Sequence, residues 1–100
     1  MRRTQVILTV KLLEPSLREQ GIEAIYLFGS VARETQTDSS DIDLAFDVAP
    51  GENERFSLID QSRIQRQLAA ALGTEVDFVE RDWLRPGVSD RAERDKIQIF

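Results

Sequence analysis

The hydrophobic positions along the chain follow two different periods. Val6, Val10, Leu13 and Leu17 recur at helical spacing, which predicts an amphipathic helix over about residues 4 to 20 that stops at Gly21. Pro15 interrupts that run, because it supplies no backbone N–H and crowds the preceding turn; it either kinks the helix or opens a second, shorter one. AIYLF, residues 24 to 28, is an unbroken apolar run between turn residues, the pattern of a strand buried on both faces. Gly29 and Ser30 then turn the chain, with Ser30 placed to N-cap a short helix through Val31, Ala32 and Arg33, and the polar ETQTDSS reads as a loop.

DIDLAFDV, residues 41 to 48, has the period of a half-buried strand. Ile42, Leu44, Phe46 and Val48 face a core, while Asp41, Asp43, Ala45 and Asp47 share the opposite side. After the turn-rich APGENE, the positions Phe56, Ile59, Arg63, Ile64, Leu68, Ala71 and Leu72 outline a second amphipathic helix stopped by Gly73. TEVDFVE, residues 74 to 80, alternates again, with Val76 and Phe78 on one side and Glu75, Asp77 and Val79 on the other. Beyond Asp82 the pattern is less regular: WLRPG predicts a turn, SDRAERDK a short polar helix, and IQIF a last strand or packed terminus. Trp83, Val88, Ile97, Ile99 and Phe100 are either satellite core packing or part of a protein interface. Strands mixed with helices and no internal repeat or linker predict one α/β (α+β) domain over residues 1–100.

Composition narrows the chemistry. Among 100 residues there is no cysteine and no histidine. Disulfides, thiolate metal sites, a serine–histidine triad and a histidine general base are all excluded, leaving carboxylates, hydroxyls, basic side chains and a hard metal ion. The net charge of -5, with two lysines in all, opposes nonspecific adhesion to a long nucleic acid. A single nucleotide carried with its own Mg²⁺ remains compatible. The start MRRTQVILTVKLLEP lacks a long apolar core and a small-residue cleavage site, and no run approaches the roughly 20 apolar residues that cross a bilayer, so the expectation is a cytoplasmic protein with no membrane partner.

Candidate chemistry gathers in the middle of the chain. Asp41 and Asp43 point the same way from one strand, roughly 5 to 7 Å apart. Like charges at that separation repel by about 3 kcal/mol at an effective dielectric near 20. The pair is either an ordinary solvated face or a ligand set for Mg²⁺, which takes one or two protein carboxylates and fills its octahedron with water and phosphate oxygens. Upstream, a strand running into Gly29 and Ser30 and then a helix offers backbone N–H groups to an anion, with Arg33 a turn further on to reach a terminal phosphate. If the strand carrying Asp77 lies beside the DIDL strand, its carboxylate joins the other two and gives enough acidic oxygens for a two-metal phosphoryl-transfer site.

F-G-S, then Arg33, then S-D-I-D-L from Ser40 onward, then a helix and a V-D-F-V strand resemble the minimal nucleotidyltransferase (MNT) family of the DNA polymerase β-like superfamily, over about residues 5 to 80. The resemblance implies a mixed sheet with helices packed against it, and transfer of a nucleoside monophosphate from an NTP, ATP above all, to a hydroxyl with release of pyrophosphate. It implies that Gly29, Ser30, Arg33 and Ser40 hold the nucleotide, that Asp41 and Asp43 bind two Mg²⁺ ions, and that Asp77 binds the catalytic ion and helps activate the acceptor. Small MNT proteins typically pair with HEPN toxins, some as antitoxins that add AMP to a tyrosine of that partner. Glu34 departs from the family pattern, in which glycine commonly follows the motif arginine, and adds negative charge near the phosphates. Two other readings are a module that neutralises its partner by contact alone, and a small-molecule nucleotidyltransferase, whose usual second domain this sequence lacks.

Overall fold

The computed structural model describes residues 2–33, 41–51, 55–83, 94 and 96–100, without the side chains of Ser30, Arg33 and Trp83. Pro15 takes the second of its two options. Helix α1 spans Arg3–Leu12 and a separate α2 spans Glu14–Glu19, with the proline in its first turn, where a missing N–H breaks no helical bond. Strand β1 (Ile22–Phe28) follows, then the short α3 (Gly29–Arg33), β2 (Ile42–Val48), the long α4 (Leu58–Leu72), β3 (Val76–Glu80), a 3₁₀ turn over Arg81–Trp83, and β4 (Ile97–Gln98). The loop expected over 34–40, including Glu34 and Ser40, lies outside the described residues, as do Val88 and most of SDRAERDK.

Among the described residues, four strands form one mixed sheet in the order β3-β2-β1-β4. β1 is antiparallel to both β2 and β4, whereas β2 and β3 run parallel. That parallel pair is joined through α4, since parallel neighbours need a crossover connection. Ser57 caps α4 by accepting the Asp60 N–H, and Gly73 ends it in the left-handed region at φ 72°, where a glycine carries no Cβ penalty.

The alternation read from the sequence sets the two faces of the sheet. Ile25 and Leu27 of β1, Ile42, Leu44 and Phe46 of β2, and Val76 and Phe78 of β3 are buried against Val6 and Val10 of α1, Leu17 of α2, and Ile64, Leu68 and Leu72 of α4. Phe46 and Phe78 stack with centroids 4.3 Å apart, fixing β2 and β3 to each other from the core side. Each such side chain contributes about 1.5–3 kcal/mol on burial. Ile99 joins this core, with Ile97 and Phe100 packed on it, so the described part of the C-terminal apolar group is core. Ile59, expected on the buried face of α4, is 70% exposed, because at about 100° per residue it lies roughly 140° around the helix from Ile64, on the side away from the sheet.

Candidate functional site

The opposite face of the sheet carries the acidic residues. Asp41 immediately precedes β2, and the Ile42 N–H donates to the Glu75 carbonyl at 3.2 Å, so the chain is already held in the sheet as it leaves Asp41. Asp43 is half-buried and Asp77 is exposed; the parallel register sets Asp43 directly beside Asp77, and the antiparallel register sets Phe28 on the other side of Asp43. Neighbouring strands lie about 4.8 Å apart, so the two carboxylates start from adjacent backbone positions on one face.

Phe28 leads straight into Gly29, which adopts φ +77° and so sits where an L side chain is strained. Its bare Cα is also where Asp43 lies. A Cβ built on Gly29 would overlap the Asp43 Oδ2 and come within 3.1 Å of its Cγ. The glycine is therefore required twice, once for the turn and once for the close approach of an acidic side chain to the start of α3. That helix begins at Gly29 rather than after Ser30, so Ser30 stands inside its first turn and is not its N-cap. The first N–H groups of any helix have no intrahelical acceptor, and they begin here beside Asp43. Arg3 of α1 donates through Nη1 to the Ala32 carbonyl at 3.0 Å, tying α3 to the helical layer. Arg33 closes α3; Ser40 falls outside the described residues.

The sheet thus brings Asp43 to Gly29 and to Asp77, with Asp41 at the entrance of β2. It stops short of the closed cluster expected from the sequence: among the described residues, no group of three or more histidine, cysteine, aspartate or glutamate side chains is gathered as a metal site. Adjacent like charges on a sheet destabilise one another, so neighbouring backbone positions do not by themselves close a ligand set. The donor chemistry fits Mg²⁺, all carboxylate oxygen with no soft ligand, and the space at Gly29 leaves the Asp43 carboxylate unobstructed by a Cβ.

A second polar group on this face was not evident in the sequence. The Tyr26 hydroxyl donates to Asp47 Oδ2 at 2.8 Å, and Arg81 Nε donates to Asp47 Oδ1 at 2.9 Å. The Arg81 guanidinium lies 5.2 Å and the Lys96 ammonium 4.9 Å from the Tyr26 ring centroid. Burial, and after it the hydrogen bond to Asp47, pushes the Tyr26 hydroxyl above the ordinary tyrosine pKa of 10.0. The only local signal was the two-residue period that sets Tyr26 on the other face from Ile25 and Leu27. Asp47 lies four residues from Asp43, about 13 Å along the strand, so the group belongs to the far end of the same face.

The family model described as "Polymerase beta, Nucleotidyltransferase" matches residues 11–100. The chain is 32% identical over 86 residues to "Putative protein adenylyltransferase MJ0435" of Methanocaldococcus jannaschii, covering 86% of this chain and 88% of that one. A solved "Structure of putative minimal nucleotidyltransferase" superposes with a TM-score of 0.79 at 27% identity, over 97% of this chain and 95% of the other. A "Crystal structure of the toxin-antitoxin with AMP-PNP" gives 0.71 at 26% identity, over 100% of this chain and 73% of the other. The F-G-S turn, the D-I-D strand and the parallel V-D-F-V strand fall within the matched region, and the chain belongs to the polymerase β nucleotidyltransferase family, among its minimal members.

Proposed function

We propose that this chain, as a single nucleotidyltransferase domain over residues 1–100, is a Mg²⁺-dependent adenylyltransferase that moves AMP from ATP to a hydroxyl of a partner protein, a tyrosine of a HEPN-type toxin, and so acts as its antitoxin in the cytoplasm. The observation that carries this reading is the packing of the Asp43 carboxylate on the bare Cα of Gly29, with Asp77 beside it in register. The relative named for protein adenylyltransfer and the similar toxin–antitoxin structure with a bound ATP analogue support the substrate and the partner. Among the described residues no helix is long and apolar enough to cross a membrane.

The chemistry is a displacement at phosphorus. The acceptor oxygen forms a bond to the α-phosphorus, the bond from that phosphorus to the bridging oxygen breaks, pyrophosphate leaves, and the acceptor proton passes to the Asp77 carboxylate. Gly29, Ser30, Arg33 and Ser40 hold the triphosphate, while Asp41, Asp43 and Asp77 would hold two Mg²⁺ ions. Bound there, the ions would neutralise charge building on the phosphate oxygens.

The test uses purified protein, Mg²⁺, labelled ATP and the HEPN-type partner. Label should pass to the partner, and Asp43→Asn should reduce transfer by at least about 10²-fold, the scale of losing one preorganised charge-stabilising group. Undiminished transfer by Asp43→Asn would remove that residue's role. Partner neutralisation without any labelling would favour a module acting by contact alone.

A further inference from the structure

Among the described residues β3 is an edge strand, so Asp77 has a neighbouring strand on one side, whereas Asp43 lies between β1 and β3. Edge strands are normally held by one ladder and by water, and they open more readily than central strands. Backbone groups alternate in direction along a strand. The Glu75 carbonyl accepts from Ile42 of β2, so the peptide groups of Asp77 also face β2 and those of Val76 and Phe78 face outward.

The outward carbonyls are not left to water. Gln65 Nε2 donates to the Val76 carbonyl at 2.7 Å, and Gln61 Nε2 donates to the Phe78 carbonyl at 2.9 Å. Both glutamines are half-buried and stand four residues apart on one side of α4. Four residues of helix rise about 6 Å and two residues of strand about 6.6 Å, so the two amides meet two successive outward carbonyls in step. Those carbonyls belong to the residues immediately before and after Asp77. Gln65 and Asp77 also line the same open groove of about 440 Å³ between α4 and β3.

We propose that Gln61 and Gln65 are positioning residues for Asp77, clasping the strand on both sides of it so that its carboxylate stays beside Asp43 during transfer. The proposal rests on the reading of Asp77 as a catalytic carboxylate. A reacting group displaced by about 1 Å can lose about 10²-fold in rate, which is the sensitivity such a clasp would protect.

Gln67 supplies the comparison, since it lies on the same helix and its amide bonds elsewhere, donating to Ser16 Oγ at 3.2 Å and accepting from Gln20 at 2.9 Å. The experiment measures AMP transfer and amide hydrogen exchange in Gln61→Met, Gln65→Met, the double variant and Gln67→Met, all as full chains. The double variant should lose about 10- to 100-fold in kcat with KM for ATP within about twofold, and each single variant a part of that. Faster exchange at the Asp77 and Val79 amides should accompany it, a readout independent of turnover. Gln67→Met should keep its kcat and its β3 exchange rates even with an equal loss of melting temperature. Gln65→Lys, which restores a donor to the Val76 carbonyl, should recover activity relative to Gln65→Met. If the double variant does not fold, the single variants and Gln65→Lys carry the same comparison. Full transfer by Asp77→Asn would overturn the catalytic reading and the clasp together. An inactive Asp77→Asn with glutamine variants that behave like Gln67→Met would overturn the clasp alone.

Discussion

The two faces of β2 are made by neighbouring residues and follow different rules. Ile42, Leu44 and Phe46 are buried in the core, each sealed by several other elements. Asp41 and Asp43 alternate with them, and the stronger constraint on Asp43 is a missing atom, the Cβ of Gly29. One face is held by bulk, so loss of volume damages it. The other is held by clearance and register, so gain of volume or slippage damages it.

The largest expected effect breaks the first face. Phe46 is fully buried, stacked on Phe78 and tilted against Phe56 at 5.4 Å. Phe46→Ala should cost about 3–5 kcal/mol, read as a fall in the denaturant midpoint, with activity lost only because the fold is lost. Asp43→Asn should do the reverse, abolishing transfer while shifting the melting temperature by less than about 4–8 °C, the shift that 1 kcal/mol produces in a domain of this size. An Asp43→Asn variant as unstable as Phe46→Ala would show that the acidic face bears on stability as the core does.

Gly29→Ala sharpens the comparison, because it adds one carbon and removes nothing. The positive φ alone costs about 1 kcal/mol or more for an L residue, and the overlap with the Asp43 carboxylate adds to it. A destabilisation of about 2 kcal/mol with loss of transfer is the expected result. Adding Asp43→Ala to Gly29→Ala should recover part of the stability but not activity, because the carboxylate overlap is relieved while the backbone strain and the missing carboxylate remain. Equal stability of the single and double variants would show that the two residues do not press on each other.

The core face was legible in the sequence because burial of apolar side chains repeats with the period of the element. That reading placed Val6, Val10 and Leu17, the three strands, the inward Ile42, Leu44, Phe46, Val76 and Phe78, and the stop at Gly73. It misplaced Ile59, an apolar residue that stands on the side of α4 away from Ile64, Leu68 and Leu72. The acidic face was legible only as a set of residue types. Nothing local says that β3 pairs with β2 in the register that sets Asp77 beside Asp43, because pairing is a property of the whole sheet. Gln61 and Gln65 read as ordinary polar helix positions, and Tyr26 as one more apolar residue, until the elements they meet were in place. Ser40, Glu34 and the side chains of Ser30 and Arg33 lie outside the described residues, so their part in the site rests on the family resemblance.

Tyr26→Phe tests the far end of the acidic face. It removes one hydroxyl from the group that joins β1, β2 and the turn after β3, leaving Asp47 paired with Arg81. A loss of about 1.5 kcal/mol at neutral pH is expected, the low end of the range for a hydrogen bond to a charged acceptor. Because folding raises the Tyr26 pKa above its unfolded value near 10.0, the native state holds that proton more tightly. The associated stability is complete below pH 10 and is lost as the pH rises through the raised value. Wild-type protein should therefore lose stability more steeply than Tyr26→Phe above pH 10, in urea titrations run across that range.

The smallest effect lies on the helical side and has the opposite sign in pH. Asp60 closes the first turn of α4, accepting the Ser57 N–H at 2.9 Å and the Ser57 hydroxyl at 3.1 Å, with Arg63 3.3 Å away. The backbone hydrogen bond first, then the hydroxyl, holds its carboxyl below the ordinary value of 3.8. The folded state thus favours the ionised form, and the contribution is present above pH 3.8 and lost as the pH falls through the lowered value. Asp60→Asn should flatten the acid limb of the stability curve slightly and leave the alkaline limb unchanged, while Tyr26→Phe should do the converse. If one substitution altered both limbs, the cap of α4 and the Tyr26 group would be coupled through the sheet, and its two faces would not be independent.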